Sequence, residues 1–509
     1  MIVALAGDHA GLPIRDRLAE VVAGAGHVPL LVGPDDSDGK IDYPIAAEAV
    51  GRAIGSALAH RGILICGSGA GMCVAANRMP GVRAATAPDV YTAAQMVEHD
   101  AVNVLTLGAR ILDPDTCDEI VRAFIGATFD GADRYSRRLQ QVHDLERKRN
   151  MNPLFHLHAA GQSPWLDNIR RDILDDGTIA RYISDYSVTG LTSNPTIFCK
   201  AIADTDLYDE AIGDCPDDAD PQEIFFSLAL DDLTRAASLF EATWQATCGN
   251  DGCVSLEVSP VLANDAAATI QQAAMLWDRV ECPNLLIKIP GTHEGAEAIE
   301  ATIAAGINVN VTLLFSPDQY EAAAEAYIAG IEQRHAKGLD LGVTSVASIF
   351  VSRWDGPTRE HLADDLCNRV GIAMTTQCYR SYRRLFSSDR WKTLEAAGAR
   401  PQRLLVASTS VKDPSLKPTF YCEALIAPGT INTMPEATLH AFAKEGVVGD
   451  PIPEDGGDAD AILARVEESG IDLGSLATQL QEQGRDAFIA SWHELIDAIA
   501  AKRSALQQA

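Results

Sequence analysis

Short apolar runs, each carrying a polar residue near its carboxyl end, recur through the latter part of this chain and limit the folds open to it. The polar residues are Asp185, Asn194, Glu257, Lys288, Asn310 with Thr312, Ser348 and Ser408, and Tyr421 to Ile426 forms the last run. Read as strands with helical patterns between most of them, the runs number eight, which a (β/α)8 TIM barrel requires. In that fold, inward side chains at the carboxyl ends of the strands face the functional mouth, so the polar insertions have a physical reason to be there. A helical segment, Trp165 to Leu174, is expected ahead of the barrel.

The first part of the chain differs. Runs at Ile2 to Ala6, Val28 to Val32, Gly62 to Cys66, Val82 to Thr86 and Val102 to Leu107 are each followed by helically spaced apolar residues. That alternation implies βα units and a Rossmann-like three-layer α/β domain with a parallel sheet. A charged helix, Asp133 to Arg149, then leads to Asn150-Met151-Asn152-Pro153, where proline and asparagine interrupt helical continuation. The expected domains are residues 1–149 and 152–509, a division that suits a chain too long for one growing core.

A formal net charge of -30 argues against nucleic-acid or anionic-membrane partners, which would repel the whole molecule. Any phosphorylated ligand then needs local arginines or backbone N–H groups. The apolar start lacks a basic lead-in and reads as a buried strand, and no stretch reaches membrane-spanning length without a charge or breaker. The 11 cysteines are scattered, with no CxxC pair, as expected of reduced thiols in a cytoplasm and not of a disulfide framework or metal site.

Lys288 lies within Leu285-Leu286-Ile287-Lys288-Ile289-Pro290. It is either an edge residue reaching for water or a buried amine whose desolvation favours the uncharged, nucleophilic form. Glu257 and Asp185 stand in strand-like runs, each either a paired structural charge or part of a site. Together with Gly190 to Pro195, Ser255 to Pro260, Leu286 to Thr292, Asn308 to Ser316, Ser348 to Asp355 and Thr430 to Pro435, these residues resemble the transaldolase family from Asn152 to the C-terminal helices. The resemblance implies a barrel of the class I aldolase type, with Lys288 as Schiff-base lysine and Asp185, supported by Thr192, as the base at the C4 hydroxyl. Glu257 and Thr312 resemble the pair that handles water during imine formation. Asn194, Asn310 and Ser348 would hold the dihydroxyacetone hydroxyls, and Arg353 the phosphate. Ile349 and Ser352 depart from the family's proline and glycine, and a fructose 6-phosphate aldolase specificity would use the same lysine.

In the first domain Cys66 precedes Gly67-Ser68-Gly69-Ala70-Gly71. Read alone, the cysteine is a small core residue. The glycines form either a dinucleotide turn or, better, a nest of N–H groups for an oxyanion. Arg134 and Arg138, at i and i+4, share a helix face that is either solvated or suited to a phosphate. With Gly7 to Gly11, Asp42-Tyr43-Pro44, Ala75-Ala76-Asn77 and Asn103-Val104-Leu105, these segments resemble the type B ribose-5-phosphate isomerases. The resemblance implies that His99 opens the sugar ring, Cys66 moves the C2 proton, Ser68 assists, and Gly67, Gly69 and Gly71 hold the enediolate. His9, Arg134 and Arg138 would bind phosphate, with Asp8, Tyr43, Asn77 and Asp100 also in the site. Asp100 and Tyr135 replace the usual asparagine and histidine.

The expectation is a bifunctional pentose phosphate enzyme acting on sugar phosphates, with no metal or organic cofactor. It would form a homodimer or larger homo-oligomer through the isomerase domain. The alternatives are an active transaldolase carrying a sugar-phosphate-binding or dimerisation domain, or an isomerase for another aldose phosphate.

Overall fold

The computed structural model describes residues 1–33, 41–56, 58–79, 81–216 and 218–507, side chains at 146–151 excepted. The chain forms two compact units, Met1–Arg149 and Asn150–Ala509.

The first unit is built on five parallel strands, β1 (Ile2–Gly7), β2 (Val28–Leu31), β3 (Arg61–Cys66), β4 (Ala84–Thr86) and β5 (Val104–Gly108). Their order is β2-β1-β3-β5-β4, and alternation along each strand builds a core on either face. Val3, Leu5, Ile63 and Ile65 pack with Leu18 and Phe124. Ala4, Ala6, Leu64 and Cys66 pack with Val50 and Met72 on the other side. Chain direction reverses between β1 and β3, the switch point at whose carboxyl ends open α/β sheets bind ligands.

The helix Asp133–Met151 ends this unit. Asn152 caps the next helix, Pro153–Ala159, by accepting from the Leu154 N–H at 3.0 Å, and Pro153 suits the first helical turn because its missing N–H would be unpaired there.

The second unit is a closed, all-parallel barrel of eight strands: β6 (Ser163–Asp167), β7 (Gly190–Thr192), β8 (Val254–Glu257), β9 (Leu285–Pro290), β10 (Val309–Leu314), β11 (Ser345–Phe350), β12 (Arg403–Ala407) and β13 (Ile431–Met434). Closure comes from β13 pairing with β6, Ile431 opposite Ser163 and Met434 opposite Leu166. Leu285, Ile287, Ile289, Val309, Val311, Ala347 and Ile349 face outward against the helices, while Leu286, Val346, Leu405 and Ile431 belong to the interior cluster.

Two of the eight expected runs are helices. Asp185 lies exposed on Thr178–Tyr186, which buries Ile179 and Tyr182 at helical spacing. Tyr421 to Ile426 begins in the helix Phe420–Ala424. The strands in their place are β6, whose last three residues begin the segment expected to be helical, and β13. Both are short, and Pro164 in one and Asn432-Thr433 in the other break their apolar character.

Candidate active sites

Register places the barrel's polar groups side by side: Glu257 on β8 is opposite Lys288 on β9, and Lys288 is opposite Asn310 on β10. Lys288 shares the inward face with Leu286, so its amine ends inside the mouth. There Nζ lies 3.1 Å from Glu257 Oε2 and donates to the Ser193 carbonyl at 3.2 Å. Both side chains of this pair are buried, and burial raises the Glu257 pKa against the opposing effect of Lys288. Neither Glu257 oxygen accepts a well-directed hydrogen bond among the described residues, and the buried Thr312 hydroxyl is likewise unpartnered.

Asp167 closes β6 deep in the same mouth, with one edge open to the cavity. Burial raises its pKa, and the Lys288 charge and a 2.8 Å hydrogen bond from Thr192 partly offset that rise. Because the Thr192 proton is spent on Asp167, Thr433 donates in the 2.8 Å bond between Thr192 and Thr433. Ser348 donates to Asn310 Oδ1 at 2.8 Å, and Asn310 Nδ2 donates to Ser255 at 3.0 Å, a chain across β11, β10 and β8. Asn194 lines the cavity while accepting from the Ile197 N–H at 3.1 Å as cap of its helix.

These groups surround a cavity of about 610 Å³ whose outer rim is charged. Arg353 and Lys412 are exposed there without an ion-pair partner among the described residues, whereas Arg359 is paired with Asp413. Asp355 accepts from the Tyr421 hydroxyl, and burial pushes its carboxyl up to about 6. Ser352 lines the rim 3.1 Å from Ser408, but Ile349 points away into the helix layer and leaves the site untouched.

In the first unit, the Asp8 N–H bonds the Ile65 carbonyl at 3.1 Å and ties the β1 turn to the loop after β3. A Cβ at Gly11 would stand 2.1 Å from that carbonyl oxygen, so only glycine permits the approach. Cys66 Sγ accepts from the Gly69 N–H at 3.1 Å, and Gly69 adopts φ +81 before the helix Ala70–Ala76. The Tyr43 ring lies over Gly71, and the Arg110 side chain over Gly67. Asp8 Oδ1 accepts from the Ala10 and Gly11 amides at 2.8 and 3.0 Å, and exposed His9 meets the Ile41 carbonyl at 3.4 Å. Ser68 is exposed on the glycine loop. Asn77 is committed to the backbone of Cys73 and Ala84 and fastens β4 to its neighbour.

His99 belongs to a second cluster. It stacks on Tyr135 with ring centres 4.1 Å apart and shares a 2.8 Å hydrogen bond with the Tyr135 hydroxyl. The Arg134 guanidinium lies 4.4 Å from the Tyr135 ring centre, and Arg138 and Asp100 are exposed. No hydrogen bond or ring contact among the described residues joins this cluster to Cys66.

Compared with known proteins, residues 164–499 match the model of the Transaldolase/Fructose-6-phosphate aldolase family. The chain belongs to that family. Transaldolases of Parafrankia sp. (strain EAN1pec) and Thermobifida fusca (strain YX) are 45% identical over 357 residues and 44% identical over 364, covering 68% and 70% of this chain and 97% and 99% of their own. Residues 3–142 match the Ribose/Galactose Isomerase model. Among solved structures, a type B ribose 5-phosphate isomerase of Trypanosoma brucei is 39% identical, covering 28% of this chain and 95% of its own, with a TM-score of 0.27. The chain therefore fuses an isomerase-family unit to a transaldolase barrel, and is an enzyme of both kinds.

In the transaldolase barrel, the acid that joins Lys288 and Glu257 at the cavity is Asp167 and not Asp185. Asp185 lines a separate surface pocket with Tyr186 and His440 on the outer side of its helix. The signal was present in Trp165-Leu166-Asp167, an apolar pair ending in an acid, but the run is too short to stand out. Lys412, Arg359 and Phe488 come from loops and a distant helix, and only folding brings them to the cavity. Arg110 in the isomerase unit likewise has no local signature, since only folding brings it over Gly67.

Proposed function

We propose that the barrel transfers a dihydroxyacetone unit between sugar phosphates through an imine on Lys288, taking it from sedoheptulose 7-phosphate to glyceraldehyde 3-phosphate. One observation carries this reading: a buried lysine amine 3.1 Å from a buried carboxylate, beside a second acid in a cavity with a basic rim. Lys288 gives a proton to Glu257, whose raised pKa suits it as acceptor, and attacks C2 of the ketose. Thr312, with hydrogen-bonding capacity unused, and Glu257 handle the protons as the carbinolamine loses water. Asp167 takes the C4 hydroxyl proton, the C3–C4 bond breaks, and its electrons pass into the iminium to give an enamine and a free aldose phosphate. An incoming aldehyde reverses these steps. Asn194, Asn310 and Ser348 bind the C1 and C3 hydroxyls, and Arg353 with Lys412 binds the phosphate, a local positive charge that offsets the acidic whole.

The first unit, on this reading, interconverts ribose 5-phosphate and ribulose 5-phosphate. Cys66 moves the proton between C2 and C1, Ser68 assists the shift between oxygens, and the Gly67 to Gly71 amides face the enediolate. His99, Arg134 and Arg138, which share no hydrogen bond or ring contact with Cys66 among the described residues, come to it from a second copy, which makes the working form a homodimer or larger. His9 and Arg110 complete the phosphate contacts, and the setting is the cytoplasm, where its free cysteines stay reduced.

Borohydride added during turnover of fructose 6-phosphate should fix a three-carbon adduct on Lys288, read by peptide mass. Absence of that adduct sinks the imine assignment. Ribulose 5-phosphate formation lost on Cys66→Ala supports the isomerase. An intact chain that binds ribose 5-phosphate without exchanging its C2 proton would leave the unit as a sensor.

A further inference from the structure

We propose that Phe488, on the C-terminal helix Leu473–Leu506, decides how the three-carbon unit leaves Lys288, by screening the enamine from water so that an aldehyde takes the unit. This rests on the imine reading above.

The Lys288 amine has two unlike kinds of neighbour. Glu257 and the cavity acid Asp167 are the charged ones. The other is apolar: the centre of the Phe488 ring is 5.6 Å from Nζ, the side chain is buried, and it lines the cavity. Phe488 ends a row of three rings, with its centre 6.5 Å from that of Phe350, which is 5.5 Å from Phe315. Phe350 ends β11 and Phe315 directly follows β10, whereas Phe488 comes from a helix outside the barrel repeat, so its position has to be held.

Gln481, two turns before Phe488, holds it: one amide nitrogen donates to the carbonyls of Gly291 at 2.8 Å and Leu313 at 2.9 Å, just beyond Lys288 on β9 and Thr312 on β10. The Leu313 carbonyl is available because β10 shifts register between Val311 and Leu314, with Leu313 at φ +60, a conformation costly for leucine. Gly484 lets the helix come close, since a Cβ there would stand 2.9 Å from Leu313 Cδ2.

After C3–C4 cleavage the enamine has two fates. Addition to an aldehyde completes transfer. Protonation at carbon restores an iminium, to which water adds at C2. Loss of the amine then yields dihydroxyacetone and free Lys288, and the water taken up here replaces the one lost when the imine formed, so the turnover as a whole consumes none. Both fates pass through the same lysine, acids and hydroxyl-binding groups and both end in hydrolysis of an iminium at C2, but only the second needs a proton delivered by water to the enamine carbon. An apolar ring beside the amine opposes that delivery while the enamine waits for its aldehyde.

The test measures dihydroxyacetone release from fructose 6-phosphate alone, and sedoheptulose 7-phosphate formed when erythrose 4-phosphate is added. Phe488→Ala should raise the ratio of release to transfer about tenfold, the change expected from roughly 1.4 kcal/mol of altered partition. Phe488→Leu, which keeps an apolar cover, should stay within about threefold of the unaltered chain. Gln481→Ala, which leaves the ring but loosens its anchor, should move the ratio in the same direction. An unchanged ratio in Phe488→Ala overturns the proposal, and if that variant does not fold, an unchanged ratio in Gln481→Ala does so. Borohydride trapping on each protein separates the failures: no adduct on the unaltered chain defeats the imine reading, whereas an adduct with an unmoved ratio defeats only the role of Phe488.

Discussion

Thr192, at the end of β7, donates its hydroxyl proton to Asp167 at the end of β6 across 2.8 Å, and this bond opposes the rise that burial imposes on the Asp167 pKa. Thr192→Val removes the opposition and raises that pKa further, so the base stays protonated to a higher pH. Transaldolase activity should fall by roughly 5- to 100-fold, the cost of one hydrogen bond to a buried acid. The loss should be larger at pH about 6 than at about 8. A uniform loss across the pH–rate profile would show that Thr192 does not act through Asp167.

Replacing Lys288 by Met leaves Glu257 buried without its cation. The Glu257 pKa is already raised by burial, and loss of Lys288 raises it further. A group with a raised folded-state pKa supports stability below its unfolded pKa and loses that support as pH climbs through the folded value. Lys288→Met should therefore match the unaltered chain near pH 4 to 5 and fall behind it by roughly 3 kcal/mol in alkali. Urea unfolding at both ends of that range measures the gap, and a gap independent of pH would count against an ionising Glu257.

Asp355 follows the same sign with a stated value, since burial carries it from 3.8 to about 6. Its contribution is fully present below about pH 3.8 and is lost as pH rises through about 6. Asp355→Asn keeps an acceptor for Tyr421 and cannot ionise. Its stability relative to the unaltered chain should rise between about pH 4 and 7 and then level off. Unfolding midpoints across that window check the prediction.

Arg353→Ala and Lys412→Ala remove the rim's unpaired cations. Each should raise the KM for sugar phosphates about tenfold with little change in kcat, the effect of lost uniform binding. Unphosphorylated dihydroxyacetone should still form its adduct on Lys288. Equal losses with phosphorylated and unphosphorylated substrates would remove the phosphate role.

For the isomerase unit, Cys66→Ala and His99→Ala variants should each be inactive alone. Unfolded together and refolded as a mixture, they should recover about a quarter of the unaltered activity, because half of random dimers carry one intact shared site. No recovery would place both residues in a site within one chain.

How much was legible in the sequence depended on what carried each signal. Lys288, Asn310 and Ser348 lie in six-residue strands whose outward residues form an apolar frame, and Glu257, in a strand of four, is framed by Val254, Leu256 and Val258; all sit where their strands imply. Asp167 and Thr433 lie in strands whose apolar pattern is broken by Pro164 and Asn432, and two helices with apolar residues read as strands in their place. Phe488, Lys412 and Arg110 have no local signature, since their roles come from backbone geometry hundreds of residues away or from a loop turning back on a glycine.

The barrel closes only when β13 pairs with β6, and Asp167 and Thr433 stand at that seam. On the ribosome the seam cannot form until Met434 has left the exit tunnel, long after Met1–Arg149 is free to fold. Lys288 thus waits in an unfinished barrel while the strand that carries Asp167 has no partner on one side. A nascent chain cut short before β13 would carry a folded isomerase unit and an exposed half-barrel edge, open to pairing with other chains.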